Sequence, residues 1–169
     1  MEAVAIDEEA LTRFHDYVLE HGYQTPRLGV LLGLVNELDV VEVHAIWEPP
    51  QIPSETLGVV EEGAALLSEQ PLAEEAASML GRKETEGLQV VGWILAQSEE
   101  RSQTEDLLNV WEVLEMGRRQ ERYGSHFVTV VGRGFSLPRG FFSLPFVRLQ
   151  LTETPLRAQS WRWRTGTWP

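Results

Sequence analysis

The segment Leu88-Gln89-Val90-Val91-Gly92-Trp93-Ile94-Leu95-Ala96 constrains this chain most. A strand with one wet face alternates polar and apolar residues, whereas a near-continuous apolar run must be covered on both faces. The run therefore predicts a central strand in a sheet with helices packed against it. It is far shorter than the roughly 20 apolar residues that cross a bilayer. No other apolar run reaches that length, and the acidic start Met1-Glu2-Ala3-Val4-Ala5-Ile6-Asp7-Glu8 lacks the basic-then-apolar order of a signal peptide. The expectation is a soluble, intracellular protein with no membrane insertion.

The flanking sequence supplies the rest of an α+β domain. After Asp7-Glu8-Glu9, whose carboxylates favour a helix N-terminus, Leu11, Phe14, Val18 and His21 recur at helical spacing as far as Gly22. Arg27–Val35 and Val40–Trp47 are apolar runs separated by Asn36-Glu37-Leu38-Asp39, which predicts a hairpin. Glu48-Pro49-Pro50-Gln51-Ile52-Pro53 ends the ladder, because proline donates no amide hydrogen and biases the preceding residue to extended conformations. Pro71–Leu80 predicts a helix with proline in its first turn and Gly81 at its end. Ser102-Gln103-Thr104-Glu105 has capping-box spacing, and Leu107, Leu108, Trp111, Leu114 and Glu115 give the following helix a mostly apolar stripe that would cover the sheet. His126–Val131 and Phe141–Leu149 are further strand candidates, the second placed at an edge or bulge by Pro145. One domain over residues 1–156 and an irregular tail over 157–169 account for the 169 residues.

Composition excludes more chemistry than it suggests. There is no cysteine, hence no disulfide, no thiolate nucleophile and no cysteine-ligated zinc. His15, His21, His44 and His126 are scattered over different elements with no ligand-like spacing, and are expected on the helix surface (the first two) and on strands (the last two). Gly132-Arg133-Gly134 reads as a turn, and neither a G-x-S-x-G elbow nor a phosphate loop is present. The net charge of −12 disfavours nucleic acid as a partner. That charge is uneven: residues 1–117 carry 5 basic and 24 acidic side chains, whereas nine arginines from Arg118 onward face only Glu121 and Glu153. Such asymmetry marks either a charged partner surface or two ends that pair within one fold.

Five segments in order, Leu28–Gly33, His44-Ala45-Ile46-Trp47-Glu48-Pro49-Pro50-Gln51, Val91-Gly92-Trp93-Ile94, Tyr123–Thr129 and Phe141–Leu149, resemble the MPN-like domain of the nuclear protein localization 4 family. The second is the most specific, and the resemblance spans roughly residues 12–155. It implies an MPN/JAB-like fold with a mixed central sheet flanked by helices. In hydrolytic MPN domains a glutamate polarises water on a zinc ion held by an H-x-H pair and an aspartate. The corresponding positions here are Pro26, Leu95, Gln97 and a site near Leu108, so the resemblance implies no zinc site, no cofactor and no catalytic residue.

What the resemblance implies instead is a non-catalytic adaptor in ubiquitin-dependent protein degradation, including that of the endoplasmic reticulum. Its partners would be ubiquitin or ubiquitinated proteins, a valosin-containing-type AAA ATPase complex and a ubiquitin fusion degradation partner. Its setting would be the cytoplasm and nucleus and the cytosolic face of the endoplasmic reticulum. Trp47, Glu48, Pro49, Pro50 and Gln51 are the candidate contact residues, since a stiff loop with an aromatic anchor binds at low ordering cost. The alternative for Trp47 is simple packing beneath that loop. Trp93 and Trp111 read as core, while Trp161, Trp163 and Trp168 lie in the arginine-rich tail. Relatives in the family carry a ubiquitin-like domain and zinc fingers for which this chain has no room. A structural MPN subunit that pairs with another MPN domain through the apolar helix near Leu108 is the alternative function.

Overall fold

The structure, a computed structural model, describes residues 4–21, 26–48, 86–98, 108, 110–133 and 146–147. Its elements are β1 (Val4–Ile6), α1 (Glu8–His21), β2 (Arg27–Val35), β3 (Val41–Trp47), β4 (Gln89–Ala96), α2 (Val110–Tyr123), β5 (Val128–Gly132) and β6 (Phe146–Val147). They form one mixed sheet of order β1-β3-β2-β4-β5-β6, with β1 parallel to β3, β4 parallel to β5, and the other pairs antiparallel. The apolar runs make β2 and β4 the interior pair, as their lack of a polar face requires.

The hairpin is held by its turn chemistry. Asn36 Oδ1 accepts from the amides of Leu38 at 2.9 Å and Val40 at 3.0 Å, its Nδ2 donates to Glu42 at 2.7 Å, and Asp39 takes a left-handed φ of 59° that aspartate tolerates. Past the turn, β2 faces a bulge on each side. His44 is skipped between Ala45 and Val43 in the β3 register, and Val91 between Gly92 and Val90 in the β4 register. Bulges re-aim side chains and tighten twist. Gly33 permits the close approach this requires, because a Cβ there would lie 1.9 Å from the Glu42 carbonyl oxygen.

Each face of the sheet carries one helix. Phe14 and Val18 of α1 meet Leu31, Val41, Val43, Ile94 and Val128, and Met116 of α2 meets Leu28, Trp93, Leu95 and Phe127. The Trp93 indole donates to the Thr129 hydroxyl, joining β4 and β5 where the two residues are register partners.

Several expectations are corrected. Of the stripe expected on the covering helix, Glu115 is buried and Leu108 packs against the core, but Leu114 is 51% exposed, α2 begins only at Val110, and Leu107 and the Trp111 side chain lie outside the described residues; Met116, Arg119 and Gln120 are buried beside Glu115. Pairing makes that possible: Glu115 accepts from Arg119 at 2.9–3.0 Å, and Gln120 donates through Nε2 to the Phe127 carbonyl at 2.9 Å, although its Oε1 is buried without a partner among the described residues. His15 is buried beside Phe14 rather than on the helix surface. His126 lies in the turn before β5, not on a strand, and its Nδ1 sits 2.9 Å from Asp39 Oδ1. Val4–Ile6, not anticipated as a strand, pairs with β3. β6 does take the edge that Pro145 indicated. The helix expected at Pro71–Leu80, the capping box at 102–105 and the tail at 157–169 lie outside the described residues.

Candidate functional site

Of the five candidate contact residues, Trp47 and Glu48 are described, and Pro49, Pro50 and Gln51 lie outside the described residues. Trp47 is the last residue of β3 and pairs in register with Val30 of β2. Its neighbour Ile46 packs against the α1 core, so strand alternation puts Trp47 on the opposite face, where it is half-buried. Glu48 follows immediately and is also half-buried.

The structure brings to Glu48 a set of polar side chains from α1 and the start of β2. Burial pushes the Glu48 carboxyl above its ordinary value, and a hydrogen bond from backbone together with the proximity of Arg13 and His21 oppose the rise. Burial also raises the Tyr17 phenol, opposed by Arg27, which hydrogen-bonds to it, and reinforced by the negative charge of Glu48. The Tyr17 and His21 rings lie 4.4 Å apart, and His21 Nδ1 is 3.0 Å from the Tyr17 carbonyl. Arg27, 8% exposed, donates through Nη2 to the His21 carbonyl at 3.1 Å. Gly29 allows α1 to dock this closely, since a Cβ there would lie 2.8 Å from Phe14 and 2.6 Å from Ile46. The result is a half-buried aromatic residue at a strand end and, on the opposite face, a desolvated carboxyl group among donors from α1 and β2. Sequence reading found Trp47 and Glu48 but not Arg13, Tyr17, His21 and Arg27. The i, i+4 spacing of Arg13, Tyr17 and His21 put them on one helix stripe, and only the docking of α1 on β2 and β3 brings that stripe to Glu48.

The positions that the resemblance aligns with zinc chemistry are on the other side of the sheet. Leu95 is buried in the cluster with Leu28, Trp93 and Met116, and Leu108 packs against the same cluster. Gln97 is buried, and its Oε1 accepts from Arg133 Nε at 2.9 Å. Pro26 is half-buried before β2. Among the described residues no group of three or more His, Asp or Glu side chains is placed to hold a metal ion, and no helix is long and apolar enough to cross a membrane.

No family model matches the chain. Over 126 residues it is 27% identical to the nuclear protein localization protein 4 homolog of Dictyostelium discoideum, an alignment that takes in 75% of this chain and 20% of that protein. The chain thus spans about a fifth of the length of the curated relative it matches, and what is shown is a similarity to that part of a longer protein.

Proposed function

We propose that this chain is an MPN-like domain without a zinc site that binds ubiquitin or ubiquitinated proteins as a non-catalytic adaptor. The similarity to a nuclear protein localization protein 4 homolog supports the pathway. By analogy with that family, the partners would be a valosin-containing-type AAA ATPase complex and a ubiquitin fusion degradation partner. The setting would be the cytoplasm and nucleus, including the cytosolic face of the endoplasmic reticulum.

The observation that carries the binding reading is the half-buried Trp47 at the end of β3, followed in the chain by a desolvated Glu48 that meets Arg13 and His21 of α1 on the opposite face. An aromatic anchor held by a strand loses little conformational freedom when a partner covers it. The non-catalytic part rests on Leu95, buried in the core, and Leu108, half-buried against it, whose side chains have no lone pair for a metal.

The test is a titration of the purified protein with mono-ubiquitin and linkage-defined chains, followed by tryptophan fluorescence and by a label on ubiquitin. Binding that weakens about tenfold or more in Trp47→Ala, with the fold intact by circular dichroism, is the expected result. No binding to any chain would overturn the recruiter reading. Chelator-sensitive cleavage of an isopeptide-linked ubiquitin dimer would overturn the non-catalytic one.

A second reading, a structural subunit that pairs with another MPN domain, is favoured by one specific observation. Val110 and Leu114 expose apolar side chains on α2. Leu114→Glu leaves ubiquitin binding unchanged on the first reading and abolishes co-purification with an MPN partner on the second.

A further inference from the structure

β3 changes register halfway along. In its first part Val41 pairs with Val35, Glu42 with Leu34 and Val43 with Gly33, and in its second Ala45 pairs with Leu32, Ile46 with Leu31 and Trp47 with Val30. His44 is the extra residue between the two runs. Side chains alternate across a strand, so one extra residue exchanges the faces of everything beyond it. Val41 and Val43 lie in the core beneath α1, and past His44 it is Ile46 that packs there. Trp47 is thereby turned to the opposite face. Had the first register continued, Trp47 would stand opposite Gly29 on the α1 face. A Cβ on Gly29 would already lie 2.8 Å from Phe14 Cε2 and 2.9 Å from Ile94 Cγ2, so an indole beside it would find no free space.

The bulge leans on Gly33. A Cβ there would lie 1.9 Å from the Glu42 carbonyl oxygen and 3.0 Å from Val43 Cα, both backbone atoms, so no side-chain rotation relieves the clash. In a regular antiparallel pair, opposite Cα atoms stand about 4.5–5.5 Å apart and leave room for a side chain. We propose that Gly33 is a positioning residue for Trp47: it lets β3 close on β2 beside His44, and the bulge so admitted decides which face Trp47 presents to a partner. The contact role of Trp47 rests on the function proposed above, whereas its orientation does not. A one-residue slip would bury Trp47 and turn Ile46 outward, which makes the bulge a determinant of the binding surface and not only of local twist.

The test incorporates 5-fluorotryptophan into the whole chain and follows the Trp47 line by fluorine NMR, identified by its loss in Trp47→Phe. Gly33→Ala is expected to move that line by more than its width and to weaken binding of mono-ubiquitin or ubiquitin chains about tenfold. A merely structural role for Gly33 would lower the melting temperature but leave both the line and the affinity in place. Deleting His44 keeps every pair of the β2–β3 ladder and removes the need for the close approach, so in that background Gly33→Ala is expected to be tolerated, with the Trp47 line where the deletion alone puts it. Should Gly33→Ala fail to fold, recovery of the folded chain on deleting His44 decides the question. A Trp47 line unmoved in Gly33→Ala, or no recovery on deleting His44, would overturn the proposal. The fluorine measurement needs no ubiquitin: a moved line in a chain that binds no ubiquitin upholds the positioning of Trp47 and overturns only the reading of its partner.

Discussion

Gly29→Ala tests how α1 is held against the strands that present Trp47 and Glu48. A Cβ at position 29 would lie 2.6 Å from Ile46 Cγ2, 2.8 Å from Phe14 Cε2 and 2.9 Å from Ile94 Cγ2. All three neighbours are side chains of the packed core, so the methyl group is accommodated only if they move. Overpacking of this kind costs about 1–3 kcal/mol. Loss of glycine's freedom in the unfolded chain offsets about 0.4–1 kcal/mol of that. The net expectation is a destabilisation of about 1–2 kcal/mol, or a melting temperature lower by about 2–8 °C for a chain of this size. Urea unfolding followed by tryptophan fluorescence is the assay, with a shifted midpoint and an unchanged slope as the expected signature. Phe14→Leu removes the Cε2 atom, so in that background the cost of Gly29→Ala falls by about 0.5–1 kcal/mol. An unchanged midpoint in Gly29→Ala, or the same loss in both backgrounds, would refute the packing described for α1.

Three further outcomes follow from named contacts. Because the folded-state pKa of Glu48 is raised, its protonated form fits the fold better, and the group's contribution to stability is greatest below its unfolded pKa and is lost as pH rises through the folded value. Glu48→Gln is therefore expected to raise the melting temperature at pH 7 by an amount that vanishes as pH falls below that of an ordinary glutamate, and a lower melting temperature at pH 7 would contradict the sign. Arg119→Met removes the buried partner of Glu115 and leaves only the exposed Arg118, at 3.3 Å. It is expected to cost about 3 kcal/mol in denaturant unfolding, with much of the loss recovered by adding Glu115→Met. Thr129→Val strands the buried Trp93 indole N–H and is expected to cost about 1–3 kcal/mol, and a smaller loss in combination with Trp93→Phe checks that the hydrogen bond is the cause.

The parts of this fold that were legible in the sequence are those where burial demands an apolar side chain. β2, β3 and β4 start and stop within a residue of the runs that predicted them; β2 and β4 do so because a strand covered on both faces leaves no position for an unpaired polar group, while β3 exposes His44 and is bounded by its turn residues. The hairpin turn was legible for a different reason, since Asn36 and Asp39 are there for what their side chains and backbone do locally. α2 and the residues before it were legible in part: Leu108 and Glu115 face the core as expected, but Leu114 does not, because counting apolar residues presumes that polar ones face water. Glu115 and Arg119, four residues apart, pair with each other, and Gln120 reaches the Phe127 carbonyl, so the polar residues supply the buried face and Leu114 turns outward. β1 escaped notice because three residues give no period to count, and its pairing with β3 is a long-range contact. The surroundings of Glu48 escaped for the same reason, as no local pattern brings Arg27 of β2 to the stripe of α1.

The outward residues of α2 also bear on function. If Leu114 were buried with Glu115 and Met116, α2 would offer a partner less apolar surface. With Val110 and Leu114 outward, the chain instead presents two apolar features, on a helix and at a strand end.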